Sequence, residues 1–396
     1  MITLVILTVL ILGFMMLAKS EPVIGANHAR VAEARSVAES GLERALWALT
    51  TTVIPSTLTS TAASPYNGST FLTLNSRGGA FVTVSGASLT AGGQTCTPAS
   101  TNERCVLAIG WSPSNVTGTS QPVAHRQILA TVMNITTKPL DAPCALCVAG
   151  ELQISGNTTI DAKTDTSCGN KYATYTSGCT ALGSGSCGGS PGGGSYNLKG
   201  GVDGNTTANE STDYQQNQGT ASFAPFTFTS SDLNSLKALA KANGTYFQGS
   251  QSFNSSNKVA NGIVFVDTVS GSNPTSSTSS SDLPSVSING NPFLGTAGNG
   301  IFQGWLIVNG SLAISGNMEI KGLVYSANDF SYNGTGTGAI SGLVISQNIL
   351  DASATSIDTS TAGNSAITLS CDDVKGGGYV PQGWYVKPGS YFEPHD

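Results

Sequence analysis

Residues 146–161 read LCVAGELQISGNTTID and residues 306–321 read LIVNGSLAISGNMEIK, with nine of the sixteen positions identical. Leu146, Val148, Gly150, Leu152, Ile154 and Ile160 coincide with Leu306, Val308, Gly310, Leu312, Ile314 and Ile320. Apolar residues at every second position, closed by Gly or Asn, are the pattern of short strands with tight corners. A second spacing runs beside the first. GLVYSANDF starts at Gly322 and GLVISQNIL starts at Gly342, 20 residues on; GWLIVNGSL from Gly304 and GIVFVDTVS from Gly262 are further members. One such unit cannot bury its apolar face alone, so a fixed repeat implies stacking. The expectation is a parallel β-solenoid or β-helix, with a β-sandwich as the alternative. Strict alternation sends Leu152, Ile154, Leu312 and Ile314 inward, and Gln153 and Ala313 outward.

Composition agrees with a stacked β body. Only 10% of residues are charged, against about a quarter in ordinary globular chains. Gly occurs 48 times, yet 39% of residues are hydrophobic and fall in patterned runs, which favours a folded body over disorder. The formal net charge of −6 argues against nucleic acid as a partner, which needs a basic surface. Eight cysteines, Cys96, Cys105, Cys144, Cys147, Cys168, Cys179, Cys187 and Cys371, sit mostly in Gly/Ser/Thr-rich sequence. An even count in that setting reads as disulfides in an oxidising compartment. Cys96 with Cys105 is the most local pairing. Cys144-Ala-Leu-Cys147 also has the spacing of half a zinc site or a redox pair, but His28, His125 and His395 are isolated.

The other constraint is at the start: MITLVILTVLILGFMMLAKSEP. The apolar run from Ile2 to Ala18 gives about 25 Å of helix, the lower limit of a bilayer span. No Lys or Arg precedes it, unlike a secretory signal peptide. Beyond Pro22, Val31, Ala34, Ala38, Leu42, Ala45 and Leu49 recur at three and four, the apolar face of a helix ending near Leu49. The two parts form one helix, apolar and then amphipathic. Pro22, with Gly13 and Gly25, predicts a kink or local unwinding.

An apolar start, a Gly near its middle, a Pro at its end and then an amphipathic helix resemble the N-terminal region of type IV pilins. AEARSVAESGLERAL is similar to the N-terminal domain of the PilX-type pilus-assembly proteins. The resemblance implies a helix that anchors the precursor in the inner membrane and later forms the filament core. It also implies removal of a short leader, with Met1 as the mature terminus; if Met1 is a start codon, that leader is absent. Met1, Val5, Gly13, Pro22 and Gly25 are then the anchor and assembly positions. Most pilins carry Glu as the fifth mature residue, where this chain has Val5. A subunit without that charge suits a place presenting no neighbouring amine, such as a tip, or a filament that does not use the pair.

The expected architecture is α+β. It comprises an N-terminal pilin-like helix at 1–52, a β-rich sheet region at 53–140 and a solenoid-like domain at 141–396. The last contains a Cys-rich loop at 164–200 and a short helix at 232–243, with Ser231 as its cap and Gly244 as its stop. AHRQILATVMNI is the strand expected under the N-terminal helix, and the aromatic tail with Trp384, Tyr385 and Tyr391 is expected to pack down.

β-Helix enzymes that cleave polysaccharides need clustered carboxylates, often with Ca²⁺, or a basic residue. Asp161 with Asp165, Glu210 with Asp213, and Asp372 with Asp373 are thin sets, and no P-loop, HExxH or nucleophile elbow is present. The reading is therefore not an enzyme and needs no cofactor. It is a minor or major structural subunit of a type IV pilus or related extracellular filament, with other pilin subunits as partners. A cell-surface solenoid adhesin held by one helix is the alternative, and a carbohydrate-active β-helix comes third.

Overall fold

The computed structural model describes residues 2–55, 57–75, 78–113, 123–187, 192–202, 207–295, 300–336, 338–350, 357 and 359–394. The side chains of residues 2–6, 8–14 and 16–20 lie outside that description, as do Met1 and His395 altogether. The architecture is α+β, a long N-terminal helix followed by a body made mostly of strands. The chain divides into two compact units, Met1–Asn134 with Gly383–Asp396, and Ile135–Gln382.

In the first unit the helix Ile2–Thr50 packs on a five-stranded sheet. The sheet order is Asn67–Asn75, Gly78–Ser85, Glu103–Ser112, Ala124–Ile135 and Gly383–Phe392. The first four strands pair antiparallel, each with the next. Val37, Ala38, Leu42, Ala45, Ala48 and Leu49 bury against Ala80, Val82, Val106, Ile128, Ala130 and Val132. Small residues set the spacing. A Cβ on Gly41 would sit 3.1 Å from the side chains of both Ala80 and Val82, and one on Gly110 would strike the backbone of Ala34 and Ala38. The helix therefore lies directly on the strands. Cys96–Cys105 ties the hairpin Leu89–Ala91/Gln94–Cys96 to this sheet.

The C-terminal strand Gly383–Phe392 corrects the expected domain boundary. The solenoid-like region was expected to run to 396, but this strand is the fifth of the first unit's sheet. Trp384 enters that unit's core with the Arg104 guanidinium 5.4 Å from its ring. Lys387 pairs with Glu103 at 2.8 Å, and Arg35 of the helix pairs with Glu393 at 2.6 Å.

In the second unit the chain alternates between two parallel sheets. Ile301–Val308, Glu319–Ser326 and Ala339–Ser346 neighbour one another in the larger sheet; Ser311–Ser315, Phe330–Gly334 and Thr359–Gly363 do so in the smaller. The register follows the sequence repeat. Gly304 pairs with Gly322 and Gly322 with Gly342, while Leu312 pairs with Phe330 and Ile314 with Tyr332. Leu152, Ile154, Leu312 and Ile314 are all buried, whereas Ala313 is exposed. Gln153 is only half-buried because its amide donates to the carbonyls of Ala181 and Gly183.

Three local expectations change. The Cys-rich segment 164–200 is not simply a loop, since Tyr172–Thr176, Thr180–Leu182 and Asn197–Lys199 are strands of the two sheets. The short helix spans Ser230–Ala242 and is capped by Thr229, which forms a capping box with Asp232, in place of Ser231. The N-terminal helix runs unbroken through Pro22 and Gly25. Proline removes one backbone donor, but the remaining i to i−4 bonds on either side keep the helix continuous.

Candidate assembly helix and the paired cysteines

At about 1.5 Å per residue the 49-residue helix is about 73 Å long, and its two halves have different surroundings. From Ala34 onward one face is buried on the sheet. From Glu21 to Ala29 every residue is exposed, on all sides of the helix. Among those, Val23 and Ile24 keep more than half their surface open, and Leu7 and Met15 further back are equally bare. Pro22 and Gly25 lie in this uncovered stretch, and a Cβ on Gly25 would meet nothing within 4 Å. Glycine there answers no packing demand within this chain. Met1 lies outside the described residues, as do the side-chain surroundings of Val5 and Gly13. Among the described residues no helix is long and apolar enough to cross a membrane.

Where the helix leaves the sheet, an open cleft of about 350 Å³ is lined by Asn27, Arg30, Val31, Ala124, His125 and Arg126. His125 stacks on Trp111 at 4.6 Å, and Ser112 donates to Glu33 of the helix at 2.9 Å. Further along, Glu393 and then Tyr391 hold the Arg35 guanidinium more firmly protonated than usual. Sequence reading named the helix face correctly but missed two partners beneath it. The strand Glu103–Ser112 and Gly110 were not singled out, although ERCVLAIGWS carries the β-branched and aromatic signal of a strand.

All eight cysteines pair: Cys96–Cys105, Cys144–Cys147, Cys168–Cys371 and Cys179–Cys187. The convergent set of potential metal ligands among the described residues is Glu151 with Cys179 and Cys187, and both of those sulfurs are joined to each other. The carboxylates considered for a cation or for catalysis are engaged by turns. Asp161 accepts from the backbone of Lys163 and Thr164, and Asp213 from that of Gly200 and Glu210. Asp165 accepts from Ser167 and, 206 residues away in sequence, from the Cys371 N–H at 2.9 Å; the Ser167 hydroxyl is the main cause holding its carboxyl below the ordinary range. Asp373 accepts the Ser341 hydroxyl. Asn-x-Ser/Thr glycosylation sequons occur at Asn115, Asn134, Asn157, Asn243 and Asn309; Asn309 is wholly buried and Asn115 lies outside the described residues.

No family model and no curated protein matches the chain. Among solved structures it is similar to the competence-associated pilin ComZ from Thermus thermophilus, at 11% identity and a TM-score of 0.22, over 92% of this chain and 97% of that one. No assignment rests on a likeness of that level.

Proposed function

We propose that the chain is a structural subunit of an extracellular filament of the type IV pilus kind, assembled through its N-terminal helix, and not an enzyme. The observation that carries this is the helix itself. One face of its second half is buried on its own sheet, while the described apolar residues of its first half, Leu7, Met15, Val23 and Ile24, are more than half exposed. Exposed apolar helix of this length is costly in water, at roughly 25 cal/mol per Å². Lipid before assembly and neighbouring copies of such helices afterwards both remove that cost. In this reading the two parallel sheets of the second unit are a β-solenoid that the subunit displays, and the four disulfides suit an oxidising surface.

The test is recovery in filaments. Val23→Asp with Ile24→Asp puts two charges on the uncovered stretch without touching the helix–sheet core. The variant should be made at normal levels yet be missing from filaments sheared off cells, whereas Glu43→Ala, on the solvent side of the packed half, should be present. Recovery of the double variant in sheared filaments at the unmodified level overturns the proposal. A chain that stays wholly with the cells, whether altered or not, points to the singly anchored adhesin instead.

A further inference from the structure

Near one end of the second unit, the helix Ser230–Ala242 lies against the strand Gly262–Asp267, and one charged pair joins them. The Lys237 Nζ is 2.6 Å from the Asp267 Oδ2, with Asp267 wholly buried and the lysine side chain 11% exposed. Each group is also held by other contacts. Lys237 Nζ donates to the Gly271 carbonyl at 2.8 Å and sits 5.7 Å from the centre of the Phe265 ring. Asp267 Oδ1 accepts from the Asn309 Nδ2 at 2.9 Å and the Thr268 N–H at 3.0 Å, and Oδ2 accepts from the Tyr246 hydroxyl at 3.0 Å. Asn309 is fully buried too.

This is more than an ion pair needs. An amine in contact with a carboxyl, shut away from water and fixed on both sides, has the proximity and orientation that accelerate an intramolecular condensation. We propose that Lys237 and Asp267 become joined by a self-formed amide cross-link. A proton passes from Nζ to Oδ2, leaving a neutral amine beside a neutral acid. Nζ then attacks Cγ, and the Nζ–Cγ bond forms as charge builds on Oδ1, where the Asn309 and Thr268 N–H groups already point. The Cγ–Oδ2 bond breaks, and Oδ2 leaves as water with the proton it received and a second one from Nζ. The Tyr246 hydroxyl, on Oδ2, relays that second proton; burial first and Asp267 second push its pKa up to about 12, so it remains a donor. No other reactant is required.

The product fits the same contacts. Its carbonyl oxygen is the former Oδ1 and keeps both donors, and its single N–H keeps the Gly271 carbonyl. The link would fasten the helix covalently to a strand close to the edge of the larger sheet, where Tyr246–Gln248 is the last strand. A subunit displayed outside the cell would thereby gain resistance to pulling and to proteases at its outermost coil.

Intact mass of the full purified chain, denatured, reduced and alkylated, is the direct measurement. The mass should fall short of the sequence by one water, and digestion should give a branched peptide joining the segment around Lys237 to the one around Asp267. Lys237→Arg keeps the charge pair and cannot form the amide, so its mass should return to the full value. Because the wild-type reading is made on denatured protein, it stands whether or not that variant folds. A full mass with an unlinked Lys237 peptide overturns the proposal, as does a missing water located on a linear Asp267 peptide.

Discussion

Gly322→Ala should be among the most destabilising single-methyl additions in the second unit. Gly262, Gly304, Gly322 and Gly342 form a row across neighbouring strands, with φ of 115°, 143°, 148° and 140°. A Cβ on Gly322 would run into the carbonyl oxygen of Gly304, and one on Gly342 into that of Gly322. Gly304, Gly322 and Gly342 therefore each make room for the strand before them. The backbone conformation alone costs an L-residue about 1–3 kcal/mol. Relieving the clash pushes the carbonyl out of the ladder, which forfeits roughly one hydrogen bond, about 1 kcal/mol. Displaced contacts in the Trp305–Leu323 rung add ~1 kcal/mol. The sum is about 4 kcal/mol, a large share of a marginal stability.

Gly290→Ala is the matched control. Its φ is 74°, also left-handed, but nothing lies within 4 Å of the added methyl. Only the conformational cost remains there, about 1–2 kcal/mol. Guanidinium unfolding followed by tryptophan fluorescence compares the two. Trp305 is fully buried in the affected rung, its indole N–H donating to the Val374 carbonyl at 2.7 Å, so it reports directly. Equal losses for the two variants, within ~0.5 kcal/mol, would refute the claim that close strand approach is what requires the glycine row.

Other consequences are as direct. Ile314, buried between Ile288 and Tyr332, should lose ~3 kcal/mol or more on Ile314→Asp; exposed Ala313→Asp should stay within ~0.5 kcal/mol in the same unfolding assay. Cys168–Cys371 spans 203 residues and Cys96–Cys105 spans 9, so loop entropy gives about 5 kcal/mol for the first and about 3 for the second; Cys→Ser pairs at each site, compared by thermal unfolding, should rank in that order. Asp165 has a folded pKa below its unfolded value, so its contribution is present above the unfolded value and is lost as pH falls through the folded one. Asp165→Asn should lower the melting temperature at neutral pH and converge with the unmodified chain in strong acid; a gap constant across pH would show that the carboxylate charge is not what matters.

The parts of the molecule legible in the sequence are those fixed by short-range periodicity. Alternation at 152–154 and 312–314 gave the buried face, because a strand's two faces are set by covalent geometry. The three-and-four spacing of Ala34, Ala38, Leu42 and Ala45 gave the packed stripe of the N-terminal helix for the same reason. The candidate assembly stretch was legible as an apolar run, although what covers it cannot be encoded in one chain's local pattern. Thr229 displaced Ser231 as a cap because the choice among nearby hydroxyl residues depends on where the previous turn ends, at Phe223–Thr227. The tail's destination was hidden for a different reason. GWYVKPGSYF reads as a strand wherever it pairs, and only Lys387–Glu103, Arg35–Glu393 and the Trp384 pocket, all long-range, decide the partner.

The strand order of the second unit was the least legible feature. Similarity between 146–161 and 306–321 says that both form the same strand pattern but not which strands neighbour which. In the smaller sheet the order is Thr180–Leu182, Leu152–Ile154, Thr359–Gly363, Phe330–Gly334, Ser311–Ser315, Ser285–Asn289 and Gln251–Phe253. The first strands of the second unit therefore pair with its last ones: Leu152 pairs with Thr359, and Leu146 with Val344. From there the chain builds outward to 199, crosses to the far end of the sheets by 246, and returns strand by strand to 368. The insertion is bounded by Ala124–Ile135 and Gly383–Phe392, which are neighbours in the first unit's sheet. Neighbouring strands lie about 5 Å apart, so the entering and leaving chains begin close together. Within the second unit, Cys168–Cys371 and the Asp165–Cys371 hydrogen bond fasten the segment after its first strands to the segment after its last. Pairings between strands far apart in the chain set this order, which is why no window of the sequence displays it.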